Sequence, residues 1–293
     1  MTGGPPALRC YMNWLGLNGL PQASPDPLQA IRAAGYDGVQ LLQPLSLDLV
    51  REARALGLGV CGSGRVNECE TAEELAREAR DAGLECLTLH IGWGLEDDPQ
   101  AHRLIEAVLA ASDRCGMPLF AETHRATIFQ DPWRAIQFSK RFPELKFNGD
   151  FSNWYTGSEF VYGGFERKMA FIAPILARTR FLHGRIGNPG CIQVDVGDGN
   201  VELHPYVAHF RALWTAVFAG FLDDPGAQSV IWFAPELLAA DIYFARTFNG
   251  KEESDRWEQS LVLCQIATEC FAQAKKEHAA SLRQAASGNS SVA

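Results

Sequence analysis

The stretch GVCGSGRVNECETAEELAREARDAGLECLTLHIGW, residues 59–93, contains one complete unit of a repeating plan. GVCGSGRV (59–66) reads as a short strand, and CLTLHIGW (86–93) as a second, apolar one. Between them TAEELAREARDAG (71–83) is amphipathic and stops at Gly83. Thr71 stands three residues before Glu74, the spacing of a capping box, so the helix is expected to start there. Strands joined by a helical crossover pair in parallel, because a parallel connection cannot be made by a tight turn.

The same unit recurs in both directions. Upstream, LRCYMNWL (8–15) leads to the helix DPLQAIRAAG (26–35), and DGVQLLQ (37–43) leads to SLDLVREARALG (46–57). Downstream, CLTLHIGW is followed by DPQAHRLIEAVLAASDRCG (98–116), and PLFAETH (118–124) by DPWRAIQFSKRF (131–142). KFNGDFSNW (146–154) pairs with GGFERKMAFIAPILA (163–177), and RFLHGRIG (180–187) with HPYVAHFRALWTAVFAGFL (204–222). VIWFAPEL (230–237) precedes a last helix from about Ser254 to Gln284. Eight strand–helix pairs predict an α/β fold, a single-domain (β/α)8 TIM barrel over residues 1–285. The small, polar tail 286–293 is expected to be disordered. Asp26, Ser46, Thr71 and Asp98 are the expected helix N-caps, and glycines close the first four helices.

Composition narrows the function classes. With 293 residues, 47% hydrophobic and 21% charged, the chain has the balance of a globular protein with a large core. A formal net charge of -9 counts against non-specific binding of nucleic acid. The chain does not open on a basic segment followed by an apolar run, and no apolar stretch approaches the ~20 residues of a membrane span. A cytoplasmic protein without membrane or nucleic-acid partners is expected. The eight cysteines fit buried free thiols: Cys10, Cys61 and Cys86 fall in strand-like runs, Cys115 at a helix end, and Cys264 and Cys270 in the last helix. No CxxC pair occurs, which disfavours a zinc knuckle.

Four residues stand near the ends of successive strands in the second half: Glu122, Asp150, His183 and Glu236. In a (β/α)8 barrel the C-terminal strand ends converge on the active-site rim. Three carboxylates and one imidazole around a point form the ligand set of a hard divalent cation, and manganese, magnesium and cobalt all suit it. An acidic residue at one strand end is commonly a cap or an ion-pair partner; an ordered set of four on consecutive strands is a stronger signal. His90 and His124 are expected beside this set as substrate-binding or supporting groups, and Arg185 as a neutraliser of negative charge. Trp14, Trp93, Trp154 and Phe233 are expected near the rim, as pocket walls or as core. Two loops, YTGSEFVYGG and GNPGCIQVDVGDGN, extend from that face, and Asp195 and Asp198 in the second either contact a polyol or cap the loop.

The segments LTLHIG, FAETH, FNGDFSNW, FLHGR and FAPEL together resemble the xylose-isomerase-like TIM-barrel superfamily, in its sugar phosphate isomerase/epimerase branch. The resemblance spans nearly the whole chain and is strongest from Leu89 to Glu236. It implies one divalent metal held by Glu122, Asp150, His183 and Glu236, with Glu122 and Glu236 as the acid/base pair. The implied reaction moves a proton next to the carbonyl of a sugar, sugar acid or keto-cyclitol through an enediolate. Dimers and tetramers are common in that family, so a homo-oligomer is implied as well. Two features depart from the epimerase pattern. Asn153 stands where many epimerases carry histidine, and it can bind a substrate hydroxyl but cannot shuttle a proton. HGRIGNPGCIQVDVGDG differs from the segment of the ketose epimerases. Both leave room for a lyase, dehydratase or decarboxylase acting on a keto-sugar, and, further off, for a non-catalytic sugar-binding subunit. The absence of histidine in GVCGSGRV departs from the three-metal DNA-repair branch. No glycine-rich loop with a nearby lysine follows the seventh or eighth strand, which counts against a phosphorylated substrate.

Overall fold

A computed structural model describes residues 4–21, 25–224 and 229–289. Eight strands close into one barrel in chain order: β1 (Ala7–Asn13), β2 (Gly38–Leu42), β3 (Gly59–Val66), β4 (Leu87–Ile91), β5 (Leu119–Glu122), β6 (Phe147–Gly149), β7 (Thr179–Gly184) and β8 (Val230–Pro235). All neighbours pair in parallel, and β8 returns to β1 in the register Ala7↔Val230 through Cys10↔Phe233. The crossover helices are α1 (Pro27–Ala33), α2 (Leu47–Ala55), α3 (Cys69–Asp81), α4 (Asp98–Cys115), α5 (Pro132–Arg141), α6 (Phe151–Gly157), α7 (Phe165–Leu176), α8 (Tyr206–Asp223) and α9 (Arg256–Asn289). The predicted (β/α)8 barrel is therefore the observed fold. No helix among the described residues is long and apolar enough to cross a membrane.

The main core lies between barrel and helices, and a second apolar cluster fills the barrel itself. Tyr11, Cys61, Cys86, Phe120, Phe181 and Trp232 form that inner floor. Below it, Tyr11 Oη and Trp232 Nε1 both donate to Glu85 Oε2, at 2.8 and 2.9 Å. Side chains alternate along a strand, so stepping by two from the floor keeps the interior face. From Phe120 the steps reach Glu122 and His124; from Phe181, His183 and Arg185; from Trp232, Ala234 and Glu236. The polar site thus stands directly above an apolar plug. Gly184, between His183 and Arg185, is required by packing: a Cβ there would lie 2.1 Å from the Phe233 ring.

Glycines terminate the first helices as expected. Gly35, Gly57, Gly83 and Gly116 all have positive φ, a conformation that costs glycine no Cβ clash. Asp26 and Ser46 cap α1 and α2 by accepting from Gln29 N and Leu49 N. The other two expected caps are displaced. The third helix begins at Cys69 after Glu68, so Thr71 lies inside its first turn. In α4 the cap is Asp97, not Asp98: Asp97 accepts from Gln100 N while Gln100 Oε1 accepts from Asp97 N, and this reciprocal pair fixes the start one residue earlier.

Two further expectations change, and one element is added. KFNGDFSNW is not one strand: β6 ends at Gly149, and Asp150 caps α6 by accepting from Ser152 N. The last helix continues past Gln284 to Asn289, so 286–289 are helical where a disordered tail was expected; residues 290–293 lie outside the described residues. The loop after β8 carries a hairpin, β9 (Thr247–Phe248) with β10 (Lys251–Glu252), turned by Asn249 and Gly250 with φ of 51° and 75°. Asn-Gly is the usual dipeptide of such a turn, so that signal was present in the sequence. All eight cysteines are free, with Cys61, Cys86 and Cys270 buried.

Candidate metal centre

Glu122 closes β5, Asp150 follows β6, His183 lies in β7, and Glu236 follows β8. Parallel strands in register bring these positions to one level, and each residue offers a ligand atom within 4.8 Å of the other three. Glu122 Oε1 is 3.3 Å and Glu236 Oε2 3.5 Å from His183 Nδ1. Glu122, Asp150 and His183 are buried, whereas the Glu236 side chain keeps 13% of its surface exposed. The site therefore opens on the Glu236 side.

Three of the ligands are oriented by residues not singled out in the sequence: His183 by Gln40, Glu122 by Asn148 and Asp150 by Ser152. His183 Nε2 lies 3.0 Å from Gln40 Oε1, an oxygen that also accepts from Asn13 Nδ2 at 3.0 Å. Gln40 Nε2 donates in turn to Thr88 Oγ1, which fixes the amide orientation. The network places hydrogen on His183 Nε2 and leaves Nδ1 facing the carboxylates, as the position that takes up either a proton or a metal ion. Asn148 Nδ2 donates to Glu122 Oε2 at 3.0 Å and lies 3.1 Å from His183 Nδ1. Asp150 accepts from Ser152 Oγ and Ser152 N through Oδ1 and from Arg185 Nη2 through Oδ2. Isolated polar residues inside apolar strand runs, such as Gln40 in GVQLL, were the available signal for these partners.

The charge balance asks for a cation. Glu122 Oε1 and Glu236 Oε2 are buried and make no hydrogen bond. Burial works against the charge on Glu122, but His183 and then His90 overcome it and hold the carboxyl well below the usual carboxylate range. Burial likewise opposes a charge on His183, yet Glu236 and then Glu122 raise its pKa to about 9. Three oxygen donors and one imidazole nitrogen, with two orphan carboxylate oxygens facing one point, fit a divalent ion.

The supporting residues fall into distinct places. His90 Nε2 lies 3.2 Å from Glu122 Oε1, and its Nδ1 lies 3.0 Å from Arg65 Nη2. Arginine only donates, so His90 Nδ1 carries the lone pair and Nε2 the hydrogen. His90 thus turns its N–H side toward Glu122, an electrostatic contact rather than a hydrogen bond. His90, Glu122 and His124 also bring ligand atoms within 4.8 Å, but with Nε2 of His90 protonated they do not make a second complete metal set. His124 stacks on His90 with ring centroids 4.3 Å apart and hydrogen-bonds the Arg125 carbonyl through Nδ1. Burial lowers the His124 pKa.

Arg185 is fully buried and holds the ligands in place: Nη2 pairs with Asp150 and lies 3.0 Å from Glu236 Oε2, while Nε donates to Ser152 Oγ at 3.1 Å. Asn153 is buried beside Asp150, its Nδ2 3.4 Å from the Asp150 carbonyl and its Oδ1 unpartnered. Trp93 is half exposed and stacks on Arg65, whose Cζ is 4.0 Å from the ring centroid. Trp14 sits in the 3-10 turn after β1, packed against the main core. Trp154 and Phe233 are wholly buried core residues. Asp195 and Asp198 cap their own loop by accepting from Gly197 N and Asn200 N.

No family model and no curated protein matches the chain. Solved structures share its fold. An L-ribulose 3-epimerase aligns with a TM-score of 0.60 at 12% identity, covering 92% of this chain and 97% of that one. A probable 3-DHS dehydratase involved in petrobactin synthesis, from Bacillus anthracis, aligns at 0.54 and 12% identity over 88% and 97%. A protein from Parabacteroides distasonis aligns at 0.51 and 11% identity over 90% and 99%. At these identities the likeness is one of fold, the closed eight-stranded barrel.

Proposed function

We propose that the chain is a divalent-metal-dependent isomerase or epimerase acting on a carbohydrate, moving a proton on the carbon next to a carbonyl. The observation that carries this reading is the convergence of Glu122, Asp150, His183 and Glu236, with ligand atoms within 4.8 Å, at the C-terminal end of the barrel. A cation held there supplies Lewis-acid polarisation of a carbonyl oxygen when bound. The L-ribulose 3-epimerase that shares the fold agrees with sugar-directed chemistry.

The protein groups supply the proton movement. Glu122 Oε1 and Glu236 Oε2 flank His183 Nδ1, so both carboxylates border the same small volume. One accepts the proton from carbon and the other returns one, which gives epimerisation when they address opposite faces. His90 Nε2 steadies Glu122 as an ionised acceptor, and Arg185 does the same for Glu236. Asp150 and His183 act as ligands, and the free Oδ1 of Asn153 accepts a hydroxyl hydrogen of the substrate. His124 and the exposed Trp93 border the approach.

The test is a keto-sugar panel in D2O with the protein loaded with Mn, Mg or Co ions, followed by NMR. Deuterium entering next to the carbonyl with the carbon skeleton intact is the expected result. Loss of water or CO2 instead makes the enzyme a lyase. Glu236→Gln is expected to lower the exchange rate on the order of 10²–10⁴-fold. If alanine at Glu122 or Glu236 leaves both metal content and exchange intact, the assignment is wrong.

A further inference from the structure

Beside the quartet, two guanidinium groups share one aromatic ring. Phe244, in the loop between β8 and α9, has Arg185 Cζ 5.3 Å and Arg125 Cζ 5.1 Å from its ring centroid. The two cations have very different partners. Arg185 is buried among Asp150, Glu236 and Ser152, and only its Nη1 is without a hydrogen bond. Arg125 is exposed, and among the described residues its guanidinium makes neither an ion pair nor a hydrogen bond. Partial burial of the group, and then the Arg185 charge, lower its pKa, while Asp150 works in the opposite direction.

This arrangement is fixed by the fold. Arg125 lies three residues beyond Glu122, on the loop between β5 and α5. Arg65 Nη1 pins that loop by donating to the carbonyls of Gly92 and Ala126, at 2.6 and 3.1 Å. The neighbouring residue Ala126 has a φ of 53°, a value alanine rarely adopts, so the loop is held away from its relaxed conformation. Phe244 limits where the Arg125 side chain can turn. Asp150 and Glu236 are already engaged by Arg185, the other cation on this ring.

We propose that Arg125, backed by Phe244, recognises an anionic group on the substrate, carboxylate or phosphate, carried at a distance from the reacting carbonyl. The substrate class is then an acidic keto-sugar rather than a neutral one. This inference rests on the reading of the quartet as the reaction centre. A planar guanidinium with all its donors free matches either anion in bidentate fashion.

Three ketoses that differ only at C6 test it: D-fructose, D-fructuronate and D-fructose 6-phosphate, titrated calorimetrically into the Mn-loaded protein. At least one anion is expected to bind about tenfold or more tightly than fructose, as a charge-assisted contact implies. Arg125→Ala is expected to remove that preference, and Arg125→Gln to do so with less change to the loop. The carboxylate and phosphate arms identify which anion the site takes. Equal affinity for all three in the unaltered protein, no binding of either anion, or a preference that survives both substitutions overturns the proposal. Deuterium exchange on the same samples reports the reaction separately. Anion preference without exchange keeps Arg125 as the recognition group and removes the isomerase reading; exchange without anion preference does the reverse.

Discussion

His183 presents Nε2 to Gln40 and Nδ1 to Glu122 and Glu236, so the ligand's tautomer is set by an amide 143 residues away. Gln40→Leu removes that acceptor and leaves Asn13 without its partner. Metal affinity is expected to fall about 10–100-fold, measured by competition with a chromophoric chelator. The same nitrogen couples the site to pH. With its pKa raised to about 9, His183 holds a proton at neutral pH that metal must displace. Affinity is therefore expected to rise about tenfold per pH unit up to about pH 9, with proton release detectable by calorimetry in buffers of different ionisation enthalpy. For the metal-free protein the sign is opposite. A raised folded-state pKa contributes stability that is complete below the unfolded value near 6.5 and lost as pH rises through about 9. Flat affinity between pH 6.5 and 8.5 contradicts this assignment of Nδ1.

The elements that carry the ligands are held as tightly as the ligands themselves. Asp150 serves twice, as N-cap of α6 and as the partner of the buried Arg185. Asp150→Asn keeps an acceptor for Ser152 N and is expected to weaken metal binding more than folding. Asp150→Ala also removes the cap and half of the Arg185 pairing, and a loss on the order of 3–5 kcal/mol in urea unfolding is expected. Similar stability for the two variants would contradict the double role. The short β6 shows why this was hard to read in advance. FNGDFSNW has strand-like composition throughout, and only the Asp150 carboxylate turning back to Ser152 N marks where strand gives way to helix. The strand ends of β5, β7 and β8 lacked that ambiguity, and there Glu122, His183 and Glu236 were legible directly.

On the scale of the whole molecule, the barrel makes one dry floor and one polar rim. The apolar plug of Phe120, Phe181 and Trp232 blocks the lower end, so the rim is reached from the Glu236 side. A cation binding four residues from four strand regions ties together nearly half the barrel. It is expected to stabilise the fold by about 2.7 kcal/mol at a hundredfold excess over Kd. For a chain of 293 residues that raises Tm by roughly 4–5 °C, observable by scanning calorimetry with Mn ions against EDTA. An unchanged Tm would mean that the quartet does not bind the ion.

The sequence by itself determined the number and order of strand–helix units, the helix-ending glycines and the four residues that meet at the strand ends. Each depends on local periodicity or on position within a repeat, which one chain displays without knowledge of its neighbours. Tertiary structure alone decided what surrounds the quartet. Gln40 reaches His183, Arg65 sets the His90 tautomer and pins the next loop, and Phe244 gathers Arg125 and Arg185. These contacts join residues far apart in the chain through side-chain packing. A polar residue in an apolar strand run marks Gln40 as unusual, but which group it meets is settled only once the barrel has closed.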